Sequence, residues 1–414
     1  MTALLHRPAL APNLDLHAWS IGAPRLLAGL QHAPRLDLPA HLATHGPLPG
    51  SDLERVLAYL DSASVAGRGG AGFPLATKIR ALAPGRREVI VNGTESEPAS
   101  RKDRVLMRRT PHLMLDGALA LSHAIGSRNV TVAVHDEATA QSVRAAATER
   151  PDGKHVRVKI VPGGFVSGEA RAVVRTLHGS AALPPGRRTP PTVDGVLVAN
   201  VESMAQLAVL LRYGPHRFAE TGTPDEPGTT LLTVGGAVGR PGVVEIPLGT
   251  PLGIVLSAAQ SADPQAVVVG GYHGSWIAPI GQIRLSRAGL ASAGGTLGAG
   301  VLVVLGHNTC SLGELARVTG WLAGESARQC GPCRFGLPAL AADVTALAAG
   351  HVAGLSSAFA HARAVDGRGA CAHPDGAARF VMSGLHLLHD ENDLHLHGGC
   401  GRPVLGQLPI GLVP

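Results

Sequence analysis

The chain has 414 residues, of which 45% are hydrophobic and 16% charged, which excludes an intrinsically disordered protein and predicts two to four domains with ample core. Its formal net charge of +6 is spread along the chain and only 3% of the residues are aromatic, so the stacking platforms of single-strand binders are missing and no nucleic-acid partner is expected. No apolar run reaches the ~20 residues of a membrane span and the N-terminus lacks the apolar stretch of a signal peptide, so we expect a cytoplasmic protein without a transmembrane segment.

Residues 1–48 are interpreted as an irregular extension with one short helix, whereas residues 49–228 alternate between helical and extended patterns. β-Branched runs predict strands at Glu88–Val91, Val130–Val134, Val156–Val161 and Val196–Val198. Apolar residues at helical spacing predict helices over Leu53–Leu60, Leu113–Ala124, Ala138–Ala147 and Ser203–Leu211. This alternation favours an α/β domain with a largely parallel sheet, whose ligands bind at the carboxyl ends of the strands.

A glycine-rich loop lies between the first helix and the first strand of this domain. Residues 67–78 read Gly-Arg-Gly-Gly-Ala-Gly-Phe-Pro-Leu-Ala-Thr-Lys and lead into a predicted helix over Pro74–Leu82. With no side chains in the way, consecutive backbone N–H groups can form a concavity for an anion, and Arg68 and Lys78 add positive charges. The loop therefore predicts a phosphate site, although a tight glycine turn that binds nothing would read the same way.

Two further polar turns directly follow predicted strands. Asn92–Pro98 carries the carboxylates of Glu95 and Glu97, which could accept hydrogen bonds from ribose hydroxyls or form a solvated acidic turn. Gly163–Glu169 is a second glycine loop that could bring an aromatic ring and a carboxylate to a flat ligand, or be a plain turn. The charged residues at 102–104 are interpreted mostly as surface charges or ion pairs.

The pattern of the chain changes after a Pro/Gly/Thr linker at residues 216–228. Short strands between glycine turns predict a β-rich domain over 229–305, with strands at Leu231–Val234, Gly242–Ile246, Ala266–Val269 and Val301–Val304. Beyond it the chain becomes helical, with predicted helices over Leu312–Leu322, Ala339–Ala349 and Phe380–His389. We therefore expect residues 306–414 to form a helical bundle and a short tail.

Five cysteines in an intracellular-looking chain indicate metal or redox chemistry rather than a disulfide framework. Cys330 and Cys333 form a Cys-x-x-Cys pair between two predicted helices, and Cys371 and Cys400 follow beside glycine or other small residues. Four thiolates are typical ligands of a [4Fe–4S] cluster, zinc would accept the same set, and a dithiol redox site would need the first pair alone. Cys310, in an apolar context at a helix entry, is interpreted as a small core residue.

Together these motifs resemble the NADH-oxidising flavoprotein subunit of respiratory complex I and its relatives in soluble hydrogenases and formate dehydrogenases. The resemblance runs from about residue 50 to 385 and rests on Gly67–Lys78, Asn92–Pro98 followed by Lys102-Asp103-Arg104, Phe165–Glu169, Asn200–Ser203, Glu325–Gly336 and Cys371. It implies an α/β fold with a Rossmann-like flavin domain over 49–228, a ubiquitin-like β-grasp domain that binds soluble ligands (SLBB) over 229–305, and an iron–sulfur helical bundle over 306–414.

The resemblance also implies two cofactors and a nucleotide substrate. FMN would be held on its phosphate side by Gly67, Arg68, Gly69, Gly70 and Lys78, and along the ribityl chain and ring by Asn92, Glu95, Gly168, Asn200 and Ser203. The nicotinamide nucleotide would face Phe73, Glu97, Phe165 and Glu169. The family passes a hydride from NADH to the flavin and then single electrons to a [4Fe–4S] cluster, so the redox chemistry is the cofactors' own and no side chain is assigned a catalytic role.

The cysteine set departs from the family in one position. Ala327 stands where the family usually has a cluster cysteine. Since Cys400 lies beyond the matched region, we hypothesise that it replaces the missing ligand. Cys330, Cys333, Cys371 and Cys400 would then bind one [4Fe–4S] cluster.

The nucleotide side departs further. Thr94 replaces an acid, Ala170 a carboxylate and Ala81 an aromatic residue. Such losses could weaken NADH binding by a few kcal/mol, taking ~1 kcal/mol for an aromatic contact and ~1–3 kcal/mol for a hydrogen bond to a charged group. The pair Arg187-Arg188 could instead accept the 2′-phosphate of NADPH.

The first functional expectation is a flavin and iron–sulfur protein that oxidises NADH or NADPH and passes electrons to a partner. That partner would be a ferredoxin, a small [2Fe–2S] subunit or a membrane reductase, which places the chain in the cytoplasm or at the periphery of a membrane complex. The alternative is a relay or docking subunit with a degenerate nucleotide site, and a third reading is a zinc-stapled scaffold without flavin.

Overall fold

The computed structural model describes residues 17–85, 87–186 and 189–411, and within these ranges the chain forms ten strands and fifteen α-helices. The strands are β1 (Ala18–Ser20), β2 (Glu88–Gly93), β3 (Val130–Val134), β4 (Val156–Ile160), β5 (Val196–Asn200), β6 (Thr229–Gly236), β7 (Gly242–Pro247), β8 (Pro264–Val269), β9 (Ser275–Ile277) and β10 (Val301–Gly306). The helices are α1 (Leu38–His45), α2 (Leu53–Ser62), α3 (Leu75–Arg80), α4 (Lys102–Arg109), α5 (Pro111–Ala124), α6 (Glu137–Thr148), α7 (Ala170–Leu177), α8 (Val201–Ala219), α9 (Leu252–Ala258), α10 (Arg287–Ser292), α11 (Ser311–Gly324), α12 (Leu337–Ala348), α13 (Ala353–Val365), α14 (His373–Leu387) and α15 (His389–Leu396).

The first sheet consists of β4, β3, β2 and β5 in that order, and all of its strands run parallel. The four strands predicted for this region are confirmed. Val89, Ile90 and Val91 in the central strand β2 are fully buried, because helices cover both faces of the sheet. Residues of α5 and α8 pack with Val89 and Val91 on one face, and residues of α7 pack with Ile90 on the other.

The strand order of this sheet reverses between β2 and β5. The chain moves from β2 to β3 and β4 on one side, and then returns to place β5 on the other side of β2. Asn92 near the end of β2 pairs in register with Asn200 at the end of β5. Open α/β sheets bind ligands in the crevice outside the carboxyl ends of the strands at such a reversal. The topology therefore predicts a ligand-binding site at the carboxyl edge of the sheet, between Asn92 and Asn200.

The second sheet is mixed and has six strands in the order β1-β7-β6-β10-β8-β9. β1 and β7 are parallel, as are β10 and β6, and the other pairs are antiparallel. The edge strand β1, which the sequence did not predict, comes from the N-terminal extension. It is held there by Glu245 of β7, whose buried carboxylate accepts hydrogen bonds from the backbone N–H groups of residues 25–27 and from the Thr229 hydroxyl.

The C-terminal helices share a core with the second sheet. Leu315 of α11, Leu340 of α12 and Phe380 of α14 are fully buried in one apolar cluster, which also contains Ala266 of β8. The tail after α15 crosses this unit and buries Leu408 completely. Among the helices of residues 17–411 that the structure describes, none is both long and apolar enough to cross a bilayer.

The close packing of α5 on α8 depends on Gly117. A Cβ atom at this position would lie 1.9 Å from the backbone oxygen of Met204, which cannot move without shifting α8. We expect Gly117→Ala to lower the free energy of unfolding by at least about 3 kcal/mol, as measured by denaturant titration. Gly320→Ala is the matched control, since a Cβ on this exposed residue of α11 meets nothing within 4 Å. It should stabilise the chain by about 0.5–1 kcal/mol, and equal losses in both variants would contradict the prediction.

Candidate functional site

The glycine loop Gly67–Gly72 lies over the reversal point of the first sheet. The backbone N–H of Arg68 donates to Ser203 Oγ at 2.9 Å, at the start of the helix that follows β5. A Cβ on Gly69 would lie 3.3 Å from the Cβ of Asn200, and Gly70 adopts φ of +95°, which favours glycine. The prediction that Gly67–Lys78 and Asn200–Ser203 share one site therefore agrees with their positions.

A cavity of about 240 Å³ opens beside this loop. Its lining includes Arg68, Lys102 and Arg287 together with a single carboxylate, Glu202, so positive charges are in excess. Residues 295–298 and Gly300 from the loop before β10 form the opposite wall. The volume lies below the range of about 300–1,000 Å³ typical of whole ligands, so the cavity suits the phosphate end of a nucleotide rather than all of it.

Sequence reasoning assigned no role at this cavity to two of its charged lining residues, Lys102 and Arg287. Lys102 was interpreted mostly as a surface charge or a member of an ion pair, and the ion pairs are present: Lys102 is 2% exposed and pairs with Asp103 at 2.8 Å and Glu202 at 3.0 Å. Burial acts to lower the pKa of Lys102, but the two carboxylates outweigh it and raise that pKa. Arg287 begins α10, beside the second sheet, and had no signal in the sequence. Only the family motif at 102–104 pointed to this group.

Lys78 lies beneath the loop rather than in the lining of the cavity. Its Nζ donates to the backbone oxygen of Val198 at 3.3 Å, and burial lowers its pKa. Its predicted role at a phosphate stays a prediction.

Asn92 and Gly168 are brought together as expected. Asn92 Nδ2 donates to the Gly168 backbone oxygen at 2.9 Å, which joins the turn after β2 to the loop before α7. Glu95 is engaged differently, because its carboxylate accepts from the backbone N–H groups of Asp103 and Arg104 at 2.8 and 3.0 Å. It thereby satisfies the first turn of α4, whose residue before the helix makes no side-chain cap.

The four residues predicted to face the nicotinamide nucleotide differ in their exposure and contacts. Phe73 is 47% exposed beside the glycine loop, whereas Phe165 is 8% exposed. The Phe165 ring packs edge-on against His273 and Trp321, with centroids 4.7 and 5.2 Å away. Glu169 caps α7 by accepting hydrogen bonds from the backbone N–H groups of residues 171 and 172. In this arrangement only Phe73 presents a ring to solvent, and Arg187-Arg188 lie outside the described residues.

Glu97 is buried in the contact between the first domain and the loop after β8. Its Oε2 accepts the backbone N–H of Tyr272 at 2.8 Å, and a Cβ on Gly271 would lie 2.4 Å from the same oxygen. Burial raises the pKa of the Glu97 carboxyl to about 7.

The Glu97 pKa predicts a pH dependence of stability. The folded pKa lies above the value of about 4.3 for an unfolded glutamate. Between these two values the folded protein therefore keeps a proton on Glu97 that the unfolded chain has lost. The contribution of Glu97 to the free energy of unfolding is complete below about pH 4.3 and is lost as the pH rises to about 7, by up to roughly 4 kcal/mol. Glu97→Gln should flatten this slope in denaturant titrations from pH 4.5 to 7.5, while Glu137→Gln on the surface of α6 should keep the wild-type slope. Parallel curves for the wild type and Glu97→Gln would show that another group is responsible.

Three of the four predicted cluster cysteines lie together: Cys330 and Cys333 just before α12, and Cys371 between α13 and α14. Cys333 is in a π-helical turn over Pro332–Gly336, where its thiol hydrogen-bonds that of Cys330 and interacts with that of Cys371. Burial acts to raise the pKa of Cys330, but hydrogen bonds from the backbone N–H groups of Ala370 and Cys333 outweigh it, so the pKa is lowered. Such N–H groups directed at sulfur are also what stabilises thiolate ligands of a cluster.

Cys400 does not belong to this group, which corrects the four-cysteine hypothesis. Its sulfur lies within 4.8 Å of ligand atoms of Cys310, Glu391 and His395. His395 Nδ1 in turn lies 2.7 Å from the backbone oxygen of Ala348, the last residue of α12. The 12 residues of α12 span about 18 Å at 1.5 Å per residue, and Cys333 lies before the first of them. One cluster cannot bridge the two ends of this helix.

Both implied cofactors can be tested against these residues. The buried Nε of Arg68 at the cavity lies 3.7 Å from Glu202 Oε1 but has no hydrogen-bond partner among the described residues, and a phosphate oxygen would supply one. The glycine loop leaves room for it, so the site fits the phosphate end of FMN. Cys330, Cys333 and Cys371 fit three irons of a [4Fe–4S] cluster, whose fourth iron would take a ligand other than cysteine.

The regions that hold these two sites each match a known protein family. Residues 60–209 match the Nuo51 FMN-binding domain, and residues 313–395 match the NADH-ubiquinone oxidoreductase-F iron–sulfur binding region. The chain is similar to an NADH-quinone oxidoreductase subunit of Streptomyces coelicolor, with 29% identity over 383 residues that cover 83% of this chain and 84% of that protein. The corresponding protein of Mycobacterium tuberculosis is 29% identical over 384 residues, covering 83% of this chain and 85% of that protein.

A solved structure gives the same result. The NAD+-reducing [NiFe]-hydrogenase in the air-oxidised state superposes with a TM-score of 0.78 and 26% identity, covering 98% of this chain and 70% of that one. Two family domains over more than half of the chain, in the same order as the phosphate cavity and the cysteine group, confirm the resemblance. The chain therefore combines an FMN-binding domain and an iron–sulfur binding region, and it is similar, as a divergent sequence, to the NADH-oxidising flavoprotein subunits of complex I and related dehydrogenases.

Proposed function

We propose that this chain oxidises NADH or NADPH through FMN and passes the electrons through a [4Fe–4S] cluster to a partner. The observation that carries the proposal is the cation-lined cavity under Gly67–Gly72, at the reversal point of the parallel sheet, in a chain that also gathers three cysteines. Neither feature alone would require electron transfer, but a flavin next to an iron–sulfur centre converts a two-electron donor into one-electron steps.

The residues of the chain would bind and orient the cofactors rather than react. Arg68 and Arg287 would neutralise the FMN phosphate, and the N–H groups of the glycine loop would donate to it. Asn92, held by Gly168, would fix the loops along the ribityl chain. Cys330, Cys333 and Cys371 would hold the cluster, with Glu169 close to Cys371. When bound, FMN supplies the hydride acceptance, and these contacts set its position and potential.

The domain roles follow the same proposal. Residues 49–228 would form the Rossmann-like flavin domain, 229–305 the β-grasp domain and 306–414 the iron–sulfur bundle. The five strands β6 to β10 of the second sheet, and the five helices α11 to α15, support this division. The N-terminal residues would extend the middle domain through β1.

The contacts made by the residues expected to bind NADH favour a second function, that of a relay subunit. Because Glu97 is buried against Tyr272 and Phe165 is packed among His273 and Trp321, two of the four expected nucleotide contacts serve the core instead. A subunit that keeps FMN and the cluster but receives electrons from another protein would need no such contacts. This relay subunit is the alternative that the following experiment separates.

The test is the absorption spectrum of anaerobically purified protein before and after one equivalent of NADH. An active oxidoreductase should show flavin and iron–sulfur bands, and the flavin band should bleach on addition. Bands that respond to NADPH but not to NADH would show that NADPH is the electron donor. Bands that respond to neither, but do respond to reduced ferredoxin, would establish the relay subunit. Protein that binds no FMN, even when reconstituted with it, would overturn both functions.

The partner would be another redox protein of the same assembly. The relatives' names describe a subunit of an NADH-quinone oxidoreductase and a hydrogenase that reduces NAD+. By analogy we propose a ferredoxin or a small [2Fe–2S] subunit as the acceptor, with a membrane reductase further along and the chain at its periphery. Co-purification of a tagged chain from its native host, followed by iron analysis of the captured proteins, would identify the acceptor.

A further inference from the structure

Four side chains with metal-binding atoms converge at the opposite end of α12 from the cluster cysteines. They are Cys310 immediately before α11, Glu391 and His395 on one face of α15, and Cys400 four residues after that helix. Their ligand atoms all lie within 4.8 Å of one another. Neither the flavin site nor the cluster uses any of them.

We propose that Cys310, Glu391, His395 and Cys400 bind a structural zinc ion. Two thiolates, one imidazole and one carboxylate are ligands that Zn²⁺ accepts, and four protein ligands with no open position are typical of its structural sites. Sulfur ligands also favour zinc over magnesium or calcium, which prefer oxygen.

The distances suit a tetrahedral ion. Ligand atoms about 2.0–2.3 Å from zinc are about 3.3–3.8 Å from one another in a tetrahedron. Cys310 Sγ lies 3.3 Å from His395 Nε2, and Glu391 Oε1 lies 4.0 Å from the same nitrogen. The four side chains would therefore need to move by only about an ångström to enclose the ion.

The neighbours of the ligands hold them in binding orientation. His395 Nδ1 faces the Ala348 carbonyl at 2.7 Å, so this nitrogen carries the proton and Nε2 presents its lone pair to the thiols. The backbone N–H of Gly313 donates to Cys310 Sγ at 3.2 Å. Arg402 donates to Glu391 Oε2, while Oε1 accepts only a long hydrogen bond of 3.5 Å from the Leu312 backbone N–H and keeps a lone pair for the ion. Orienting partners of this kind are what metal ligands usually have.

The charges balance when zinc is present. Two thiolates and the Glu391 carboxylate carry three negative charges, while zinc and the Arg402 guanidinium carry three positive ones. Cys310 and Glu391 are 3% and 6% exposed, and groups so buried are stable as ions only when they are neutralised.

The site would fasten the C-terminal tail to the beginning of α11. Next to the ligands, the backbone N–H of Cys310 donates to the Pro403 oxygen at 2.8 Å, and that of Gln407 donates to Glu314 Oε1 at 2.9 Å. Zinc would thus stabilise the tail after residue 396 without taking part in electron transfer.

The test is metal analysis of the full-length protein after dialysis against a weak chelator. We expect about one zinc per chain, and its loss in Cys400→Ser and in His395→Gln. Cys333→Ser is the matched control, because it should lower the iron content and leave zinc unchanged. Zinc that follows Cys333 instead of Cys400 would overturn the proposal. So would protein that lacks zinc, whether it holds iron at this site or a Cys310–Cys400 disulfide.

A second measurement applies if the variants fold poorly. Wild-type protein loaded with Co²⁺ in place of zinc should show the visible bands of a tetrahedral thiolate site, with sulfur-to-cobalt charge transfer. Removal of the metal by a strong chelator should make the tail after residue 396 sensitive to protease. Octahedral cobalt spectra, or a tail that is equally resistant without metal, would contradict the assignment.

Discussion

Cys333→Ser should abolish the iron–sulfur cluster while leaving the flavin in place. The thiol is buried beside Cys330 and Cys371, and no further cysteine of the described ranges lies at this end of α12 to replace it. A cluster held by two cysteines should not survive purification. Iron analysis should show nearly complete loss, and FMN content should equal that of the wild type. Electron delivery to a one-electron protein acceptor should fall to background.

Two companion variants make this result specific. Cys400→Ser should keep its full iron content, because Cys400 lies about the length of α12 away. Iron loss in this variant would restore the four-cysteine hypothesis. Ala327→Cys supplies the ligand that the family usually has, in a position packed beside the same apolar cluster as Cys330. It should retain iron longer than the wild type in air, since a fourth thiolate closes the exposed iron.

Arg287→Glu should weaken FMN binding by more than a hundredfold. The substitution removes a cation that lines the phosphate cavity and introduces a carboxylate in its place. A lost hydrogen bond to a charged group alone is worth about 1.5–3 kcal/mol, or roughly ten- to 150-fold in affinity, and repulsion adds to it. Titration of the FMN-free protein with FMN, followed by flavin fluorescence, measures the change directly.

The controls for this variant separate the local charge from the net charge. Arg287→Lys keeps a cation in the cavity and should recover most of the affinity. Arg128→Glu reverses a charge on an exposed residue outside the cavity and should bind FMN like the wild type. If Arg287→Glu binds FMN normally as well, the phosphate lies elsewhere, although the chain could still be a flavoprotein.

Local patterns were sufficient for most of the first sheet. The strands β2 to β5 are short Val/Ile runs that end at polar turns, and a strand buried on both faces needs little else. Helix α4 was missed because five of its eight residues are charged, and charges on a helix usually face solvent. Lys102 is buried instead because Glu202, one hundred residues later, neutralises it. Such pairing depends on the tertiary fold and leaves no periodic signal.

The site residues that belong to a sequence motif were predictable, whereas those brought in by tertiary packing were not. The glycine loop and Asn200 meet as expected, since both lie at the carboxyl edge of the sheet. Arg287 reaches the same cavity from α10, which packs beside the second sheet. No sequence spacing indicates this contact. Cys400 was assigned to the wrong group because its distance in sequence from Cys371 does not reveal which end of α12 it reaches.

The pairing of β1 with β7 has a consequence for the synthesis of the protein. Ala18 pairs with Val243, which is translated 225 residues later, or roughly 10–45 s at 5–20 residues per second. Until then Trp19 and the edge of the nascent strand have no partner, while the segment that buries Leu408 is translated after all the described helices and strands. The first parallel sheet can form early, whereas the second sheet and its helices complete only after this segment has been made. A premature stop before Leu408 should therefore yield a chain whose flavin half is folded and whose remainder is exposed to chaperones and proteases.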